Sequence, residues 1–294
     1  MYLHDSFMTN HKFPKIGLAL SGGGAKGFAH VSVISNLEKL GIPIHCVAGT
    51  SMGSLIGGWY AAGKDFEILL DLAREGHWKK FLHVSELINS IRFGGGLFSL
   101  DSFKKFLEKE LGDLKIEDLE KKYCAVATSL KNGKRVVLKE GKLGEAILAS
   151  GCLPVIFSPI KIKDDLLVDG GVVDNFPVES CFEMGADFVI GVDVRYAPGY
   201  LHEEIKDDSS PSRWKIFRVL QYLMEVVNSQ VEKKEGTNLV IIKPYISHIS
   251  TFDFQKANEI LKLGTEAFNG KEDELREKLG LPEREKGILE TIFD

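Results

Sequence analysis

Gly49, Ser51 and Gly53 have the spacing of a nucleophile elbow, the G-x-S-x-G turn that presents a reactive serine. A serine on a sharp strand-to-helix turn has a strained backbone, so the residues two before and two after it must lack bulk. The context fits, because the apolar run Ile44 to Ala48 predicts a buried strand and the segment Ser54 to Ala62 predicts a helix. The motif therefore predicts that Ser51 is a nucleophile at a helix N-terminus.

A glycine-rich loop follows the first predicted strand, Ile16 to Leu20, and precedes a helical pattern that begins at Phe28. Its residues are Gly22, Gly23, Gly24, Ala25, Lys26 and Gly27. Free backbone N–H groups at a helix N-terminus favour negative charge. Beside Ser51, such a loop is an oxyanion hole, in which one donor typically lowers the barrier by about 3 kcal/mol. Lys26 either adds positive charge there or is a solvated surface lysine.

The same loop also matches G-x-G-x-x-G, the fingerprint of dinucleotide-binding proteins. A dinucleotide site expects an acidic residue at the end of the second strand, where this chain has the run Ala48 to Ser51. A P-loop does not fit either, because Phe28 follows Gly27. A nucleotide-binding oxidoreductase stays as an alternative, and bound cofactor in the purified protein would reveal it.

A serine nucleophile needs a base, and a histidine is the first candidate. In an α/β-hydrolase the histidine follows the acid along the chain, which leaves His202 and His248. His30 lies on the first predicted helix, where a packed or hydrogen-bonded histidine is expected. None of the three has a sequence context typical of a catalytic triad.

Asp169 is the better candidate for the base. It directly follows a predicted hairpin that runs from Ile160 to Val168, with Asp164 and Asp165 at the turn. Gly170 and Gly171 come next and, without side chains, allow backbone or ligand to approach closely. A partly dry site would raise its basicity. The structural alternative is a turn aspartate that caps its own loop. A metal site at Asp169 and Asp174 lacks a third ligand nearby, so we predict no metal.

Taken in order, the glycine-rich loop, the elbow and Asp169-Gly170-Gly171 resemble the patatin-like phospholipase family. Ala149 to Phe157 resembles the stretch before the family's catalytic aspartate, and Val168 to Val178 resembles its continuation. The resemblance runs from about Ile16 to Lys243. Lys26 and Gly171 depart from the commonest pattern, which has arginine and alanine at these positions.

This resemblance implies a serine acyl hydrolase with a Ser-Asp dyad, no catalytic histidine and no cofactor. Ser51 would be the nucleophile, Asp169 the base and the glycine-rich loop the oxyanion hole. The implied function is a lipid esterase, of phospholipase or lysophospholipase type, that works through an acyl-enzyme. The implied partner is a lipid or acyl-ester substrate. A catalytically idle, membrane-associated regulatory protein on the same fold is a second alternative.

Composition and element order indicate the class of fold. The apolar and charged fractions are those of an ordinary soluble protein, and strand and helix patterns alternate, which predicts an α/β protein with a parallel sheet. The resemblance further implies a three-layer fold with a mostly parallel central sheet and helices on both faces. The net charge of −5 argues against nucleic-acid binding. The four cysteines follow neither a metal-ligand nor a disulfide pattern, so we expect them to be reduced and the protein to be cytoplasmic.

The predicted organisation is a polar leader (1–15), a catalytic domain (16–245) and a C-terminal helical segment (246–294) that packs on the same domain. Within the domain, a polar stretch (Pro198 to Arg213) precedes the segment Trp214 to Val231. The apolar stripe of that segment consists of Phe217, Leu220, Met224, Val227 and Val231. This segment is either a core helix or a lid that opens onto a lipid surface. The second interpretation implies transient contact with the inner membrane surface.

Overall fold

The computed structural model describes residues 12–75, 100–195, 219–220, 222–224, 226, 228 and 237–284. Its strands are β1 Ile16–Leu20, β2 Ile44–Thr50, β3 Lys122–Ser129, β4 Arg135–Leu138, β5 Ile160–Ile162, β6 Asp165–Asp169, β7 Phe188–Val192 and β8 Leu239–Ile242. Its helices are α1 Phe28–Lys39, α2 Met52–Ala61, α3 Glu67–Arg74, α4 Asp101–Leu111, α5 Leu143–Ser150, α6 Val178–Glu183, α7 Ala257–Asn269 and α8 Glu272–Leu279.

The strands form one eight-stranded sheet in the order β5-β6-β3-β2-β1-β7-β8, with β4 also paired to β3. The pairs from β3 through β2, β1 and β7 to β8 are parallel. Strands β4, β5 and β6 pair in antiparallel fashion at the β3 side. The predicted mostly parallel sheet is confirmed. Continuous apolar runs such as β1 are typical of parallel strands that are covered on both faces.

Helices pack on both faces of this sheet. Leu18 belongs to the larger apolar cluster, to which α1, α2, α5 and α7 contribute. Its neighbour Ala19 points to the opposite face and packs in a second cluster with Val178 and Cys181 of α6. The alternation along β1 therefore separates two apolar layers. All four cysteines are free and buried, as expected.

The direction of β6 places Asp169, its last residue, near the end of β2, which Ser51 follows. Strand β3 lies between β2 and β6, with Thr50 paired to Val126 and Asp169 paired to Ala127. Because β6 runs antiparallel to β3, its last residue lies level with the end of β2, two strand spacings or about 10 Å across the sheet. The sequence predicted the hairpin, but Asp165 opens β6 instead of lying in the turn, since it pairs with Ile162.

Several predictions fall on residues outside the described ones. These are the polar stretch Pro198 to Arg213 and, within the apolar stripe, Trp214, Phe217, Val227 and Val231. Leu220 and Met224 are described, with helical backbone and half-buried side chains. Among the helices that the structure describes, none has both the length and the apolar character needed to cross a membrane.

Candidate active site

Ser51 lies at a sharp turn between β2 and α2. Its backbone has φ 53° and ψ −122°, a conformation that L-residues rarely adopt. The turn is tight enough that a Cβ at Gly49 would collide with the Gly53 carbonyl, and one at Gly53 with the Leu20 carbonyl. The predicted elbow geometry is therefore present, with the half-buried Ser51 directly preceding the first residue of α2.

Ser150, the last residue of α5, fixes this turn. The Ser51 N–H donates to Ser150 Oγ at 2.9 Å, and that hydroxyl donates to the Val126 carbonyl at 2.6 Å. Ser150 is completely buried, so the elbow is tied to both α5 and β3. Sequence reasoning did not single out Ser150. Ser150 could have been noticed because it lies within Ala149 to Phe157, the stretch that resembles the family pattern.

Asp169 is buried beside Ser51, with 1% of its surface exposed. Its Oδ1 accepts a hydrogen bond of 2.7 Å from the Gly171 N–H. Its Oδ2 is buried without a hydrogen-bond partner of standard geometry among the described residues. Burial raises the pKa of Asp169 to about 6, against the opposing effects of hydrogen bonds from the Ser51 hydroxyl and the Gly171 N–H. The Ser51 hydroxyl therefore lies close enough to the Asp169 carboxylate to affect its pKa.

The glycine-rich loop lies against the elbow, because a Cβ at Gly22 would come within 3.0 Å of the Ser51 Cβ. Not every amide of this loop is open. The Gly22 N–H donates to the Asn175 carbonyl and to Asn175 Oδ1, and the Ala25 N–H donates to the Thr251 carbonyl. The amides of Gly23 and Gly24 have no acceptor among the described residues. Between Gly22 and Ala25, these two N–H groups are therefore the donors that remain open within the described part of the chain.

Lys26 has only 1% of its surface exposed. It lies in the 3₁₀ turn Gly24–Gly27, immediately before α1. The alternative that it is a solvated surface lysine is therefore wrong. Its ammonium group is therefore buried in the protein interior.

An apolar cavity of about 120 Å³ opens beside Ser51. Its apolar side chains are Met52, Leu55, Leu100, Phe103, Ile147, Leu153, Phe157, Phe252 and Phe254. Gly24, which carries one of the open amides, lines the same cavity. The cavity thus places an apolar surface next to a hydroxyl and an N–H donor, an arrangement that suits an acyl ester.

Two of the three candidate histidines have partners other than Ser51 and Asp169. His30 is buried, and its Nε2 donates to the Ser21 carbonyl at 2.8 Å, as expected of a hydrogen-bonded helix residue. Burial lowers the pKa of His30 to about 4, so the ring is neutral at physiological pH. His248 is exposed and lies 3.0 Å from Glu259. His202 lies outside the described residues.

Comparisons with known proteins agree with this geometry. Residues 18–182 match the family model described as "Patatin-like phospholipase". The chain is 30% identical over 276 residues to "Lysophospholipase NTE1" of Scheffersomyces stipitis, and 29% identical over the same length to that of Saccharomyces cerevisiae. Each alignment covers 85% of this chain but only 17% and 16% of the respective yeast proteins.

A bacterial relative and a solved structure were also found. An uncharacterized NTE family protein of Mycobacterium bovis is 35% identical over 182 residues, which cover 61% of this chain and 49% of that protein. The crystal structure of VipD from Legionella pneumophila aligns with a TM-score of 0.44 and 15% identity, covering 88% of this chain and 67% of that one. The family match spans more than half of the residues, and the chain belongs to the patatin-like phospholipase family, as its motifs predicted.

Proposed function

We propose that this chain is a serine acyl hydrolase that cleaves lipid acyl esters through a Ser51-Asp169 dyad. One observation carries the proposal: a strained serine, a buried carboxylate and two backbone amides that have no acceptor among the described residues lie together beside an apolar cavity. Each group supplies a part that ester cleavage needs, namely nucleophile, base, oxyanion donors and an acyl site. Family membership supports the same chemistry.

The first half-reaction acylates the serine. Asp169 takes the hydroxyl proton as Ser51 Oγ attacks the ester carbonyl carbon, and the carbonyl oxygen becomes an oxyanion. The amides of Gly23 and Gly24 would donate hydrogen bonds to that oxygen. When the tetrahedral intermediate collapses, the bond to the leaving oxygen breaks and Asp169 returns the proton to it. The alcohol leaves, and the acyl group remains esterified to Ser51.

The second half-reaction reverses these roles. Asp169 takes a proton from a water molecule, whose oxygen attacks the acyl carbonyl carbon. The second oxyanion uses the same two amides, and collapse breaks the bond to Ser51 Oγ. The proton on Asp169 returns to that oxygen, so a carboxylic acid leaves and the free hydroxyl is restored.

The substrate class that we propose is a lysophospholipid or another single-chain acyl ester. The cavity beside Ser51 is lined by apolar side chains that suit an acyl group, and the yeast relatives carry the name lysophospholipase. The direct test offers the pure protein monoacyl and diacyl phosphatidylcholine in mixed micelles and measures released fatty acid. We expect faster release from the monoacyl lipid, and a preference for the diacyl lipid would contradict this substrate class.

The pH dependence follows from the burial of Asp169. Because the base must be ionised, kcat/KM should fall about tenfold for each pH unit below the pKa of Asp169, which lies at about 6. The measurement is kcat/KM for a neutral short-chain ester against pH, with recovery of activity after return to neutral pH as the control. A profile that stays flat well below pH 6 would show that another group is the base.

Filling the cavity should alter chain-length preference. Leu153→Trp places a bulky ring in the cavity, so kcat/KM for a dodecanoyl ester should fall at least about tenfold relative to a butyryl ester. The matched control is Leu166→Trp, because Leu166 is 47% exposed and does not line the cavity. Equal losses for both esters would mean that the acyl chain binds elsewhere.

We also propose the organisation around this site. Residues 16–245 form the catalytic domain and residues 246–294 pack on it, an arrangement supported by the packing of α7 on α1. The enzyme would work in the cytoplasm and contact the inner membrane surface transiently to reach its substrate.

A further inference from the structure

Asn228 is a buried amide that the mechanism above does not use. Only 6% of its surface is exposed, and it lies on helical backbone one turn after Met224. Its Nδ2 donates to the carbonyls of Gly171 at 2.9 Å and Met224 at 2.7 Å. Its Oδ1 accepts from the Asn175 N–H at 2.8 Å. Both ends of this amide are therefore engaged, and two of the three partners lie on the loop after Asp169.

Asn175 extends this contact to the other side of the site. Its Oδ1 and its carbonyl both accept the Gly22 N–H, at 3.2 and 3.1 Å. A Cβ at Gly22 would collide with Asn175 Oδ1, so the two loops touch without a gap. A continuous set of hydrogen bonds thus runs from Asn228 through Asn175 to the first residue of the glycine-rich loop.

We propose that Asn228 and Asn175 form a clamp that holds the loop after Asp169 against the glycine-rich loop, and that Asn228 is a positioning residue for the reaction. This inference rests on the proposed function, because its consequence is a change in how Asp169 and the oxyanion donors are placed. Asn228 itself lies outside the reacting groups and acts through Gly171 and Asn175.

The route from Asn228 to the base is short. Gly171 accepts from Asn228 through its carbonyl and donates to Asp169 Oδ1 through its N–H. A hydrogen bond to the charged form of a carboxyl lowers its pKa, and the Gly171 N–H has that effect on Asp169. If the loop moves, this donor is weakened, and the pKa of Asp169 rises further.

The side chain at position 228 must both donate and accept hydrogen bonds to keep these contacts. Leucine has nearly the shape of asparagine but offers no hydrogen bond, so it would leave the Gly171 carbonyl and the Asn175 N–H unpaired inside the protein. Because unpaired buried polar groups cost free energy, the loop after Asp169 should shift so that these groups find other partners. Leucine also adds no charge near Asp169, so a change in the pKa of the base cannot come from a new ionic interaction.

The test compares Asn228→Leu with Asn36→Leu. Asn36 is the matched control, since its Nδ2 donates to the Ser32 carbonyl one turn earlier on α1, and among the described residues its side chain has no hydrogen bond to either loop. For Asn228→Leu we expect kcat for a soluble short-chain ester to fall between about tenfold and a hundredfold with little change in KM. We also expect the acid limb of the pH profile to move up by roughly half a unit or more. Asn36→Leu should leave both quantities unchanged.

A merely structural role would lower thermal stability in both variants without moving the acid limb. Unchanged kcat and an unchanged acid limb in folded Asn228→Leu would overturn the clamp. If that variant does not fold, Asn228→Ser is measured in the same way, because a smaller polar side chain still breaks the link to Asn175. Wild-type protein that hydrolyses no ester, or Ser51→Ala protein that still does, would instead contradict the proposed function.

Discussion

Ser51→Ala should lower kcat for p-nitrophenyl butyrate by about four orders of magnitude or more. The substitution removes the only atom that forms the acyl-enzyme, and the remaining donors and cavity can at best assist attack by water. The fold should survive, because alanine keeps the Cβ of the elbow and the Ser51 N–H still bonds to Ser150 Oγ. Steady-state hydrolysis by pure protein, with circular dichroism as the test of folding, measures both.

The matched control for this change is Ser32→Ala. Ser32 is also buried, and its hydroxyl donates to the Ala29 carbonyl on α1. We expect this variant to keep nearly all activity, which would show that loss of a buried serine hydroxyl is not damaging in itself. Full activity of pure Ser51→Ala protein would remove Ser51 from the mechanism.

Asp169→Asn should be nearly as damaging as the serine change, because an amide can still accept the Gly171 N–H but cannot take a proton from Ser51. By contrast, His202→Ala and His248→Ala should keep activity within about twofold, and His30→Ala should keep most of it. The measurement is kcat/KM for the same ester. A histidine variant as inactive as Ser51→Ala would replace the dyad with a triad.

The loss of activity in Asp169→Asn should not come from unfolding of the protein. The pKa of Asp169 is raised in the folded protein, so its ionised form is disfavoured there, and stability from this group decreases as pH rises toward about 6. Asparagine carries no charge at any pH. Asp169→Asn should therefore be at least as stable as the wild type at neutral pH, as thermal unfolding would show.

The local features of the site could be predicted because each depends on a few neighbouring residues. The spacing of Gly49, Ser51 and Gly53 predicts the elbow, since the steric demand of that turn acts within five residues. The apolar run of β1 was predicted with its observed bounds. The order of the motifs then indicated the family, and the family match confirms it.

The contacts that depend on pairing between distant segments could not be predicted in this way. Nothing near Lys26 in the sequence shows that its side chain is buried. Asn228 gave one weak signal, a polar residue four positions after Met224 in an apolar stripe, but its partners in the site, Asn175 and Gly171, lie more than 50 residues away. The sequence also predicted that the Gly22 N–H belongs to the oxyanion hole. In the structure this N–H already donates to Asn175, which the sequence could not show.

The alternatives to ester hydrolysis make different physical demands on the same loop. A dinucleotide site needs the loop amides for a pyrophosphate and a carboxylate at the end of β2. Here β2 ends at Thr50, whose hydroxyl donates to the Asp174 carbonyl, and the loop packs against Ser51. An idle regulatory protein has no need of a basic, buried carboxylate beside a strained serine. The arrangement therefore favours a working hydrolase.

The most direct measurement is covalent labelling with a fluorophosphonate, which reacts with an activated serine and mimics the tetrahedral intermediate. We expect one adduct per chain, located by mass spectrometry on Ser51, absent from Ser51→Ala and formed far more slowly by Asp169→Asn. The labelling rate should fall below about pH 6, as the base becomes protonated. No adduct on Ser51 in folded wild-type protein, or equally fast labelling of Asp169→Asn, would contradict the dyad.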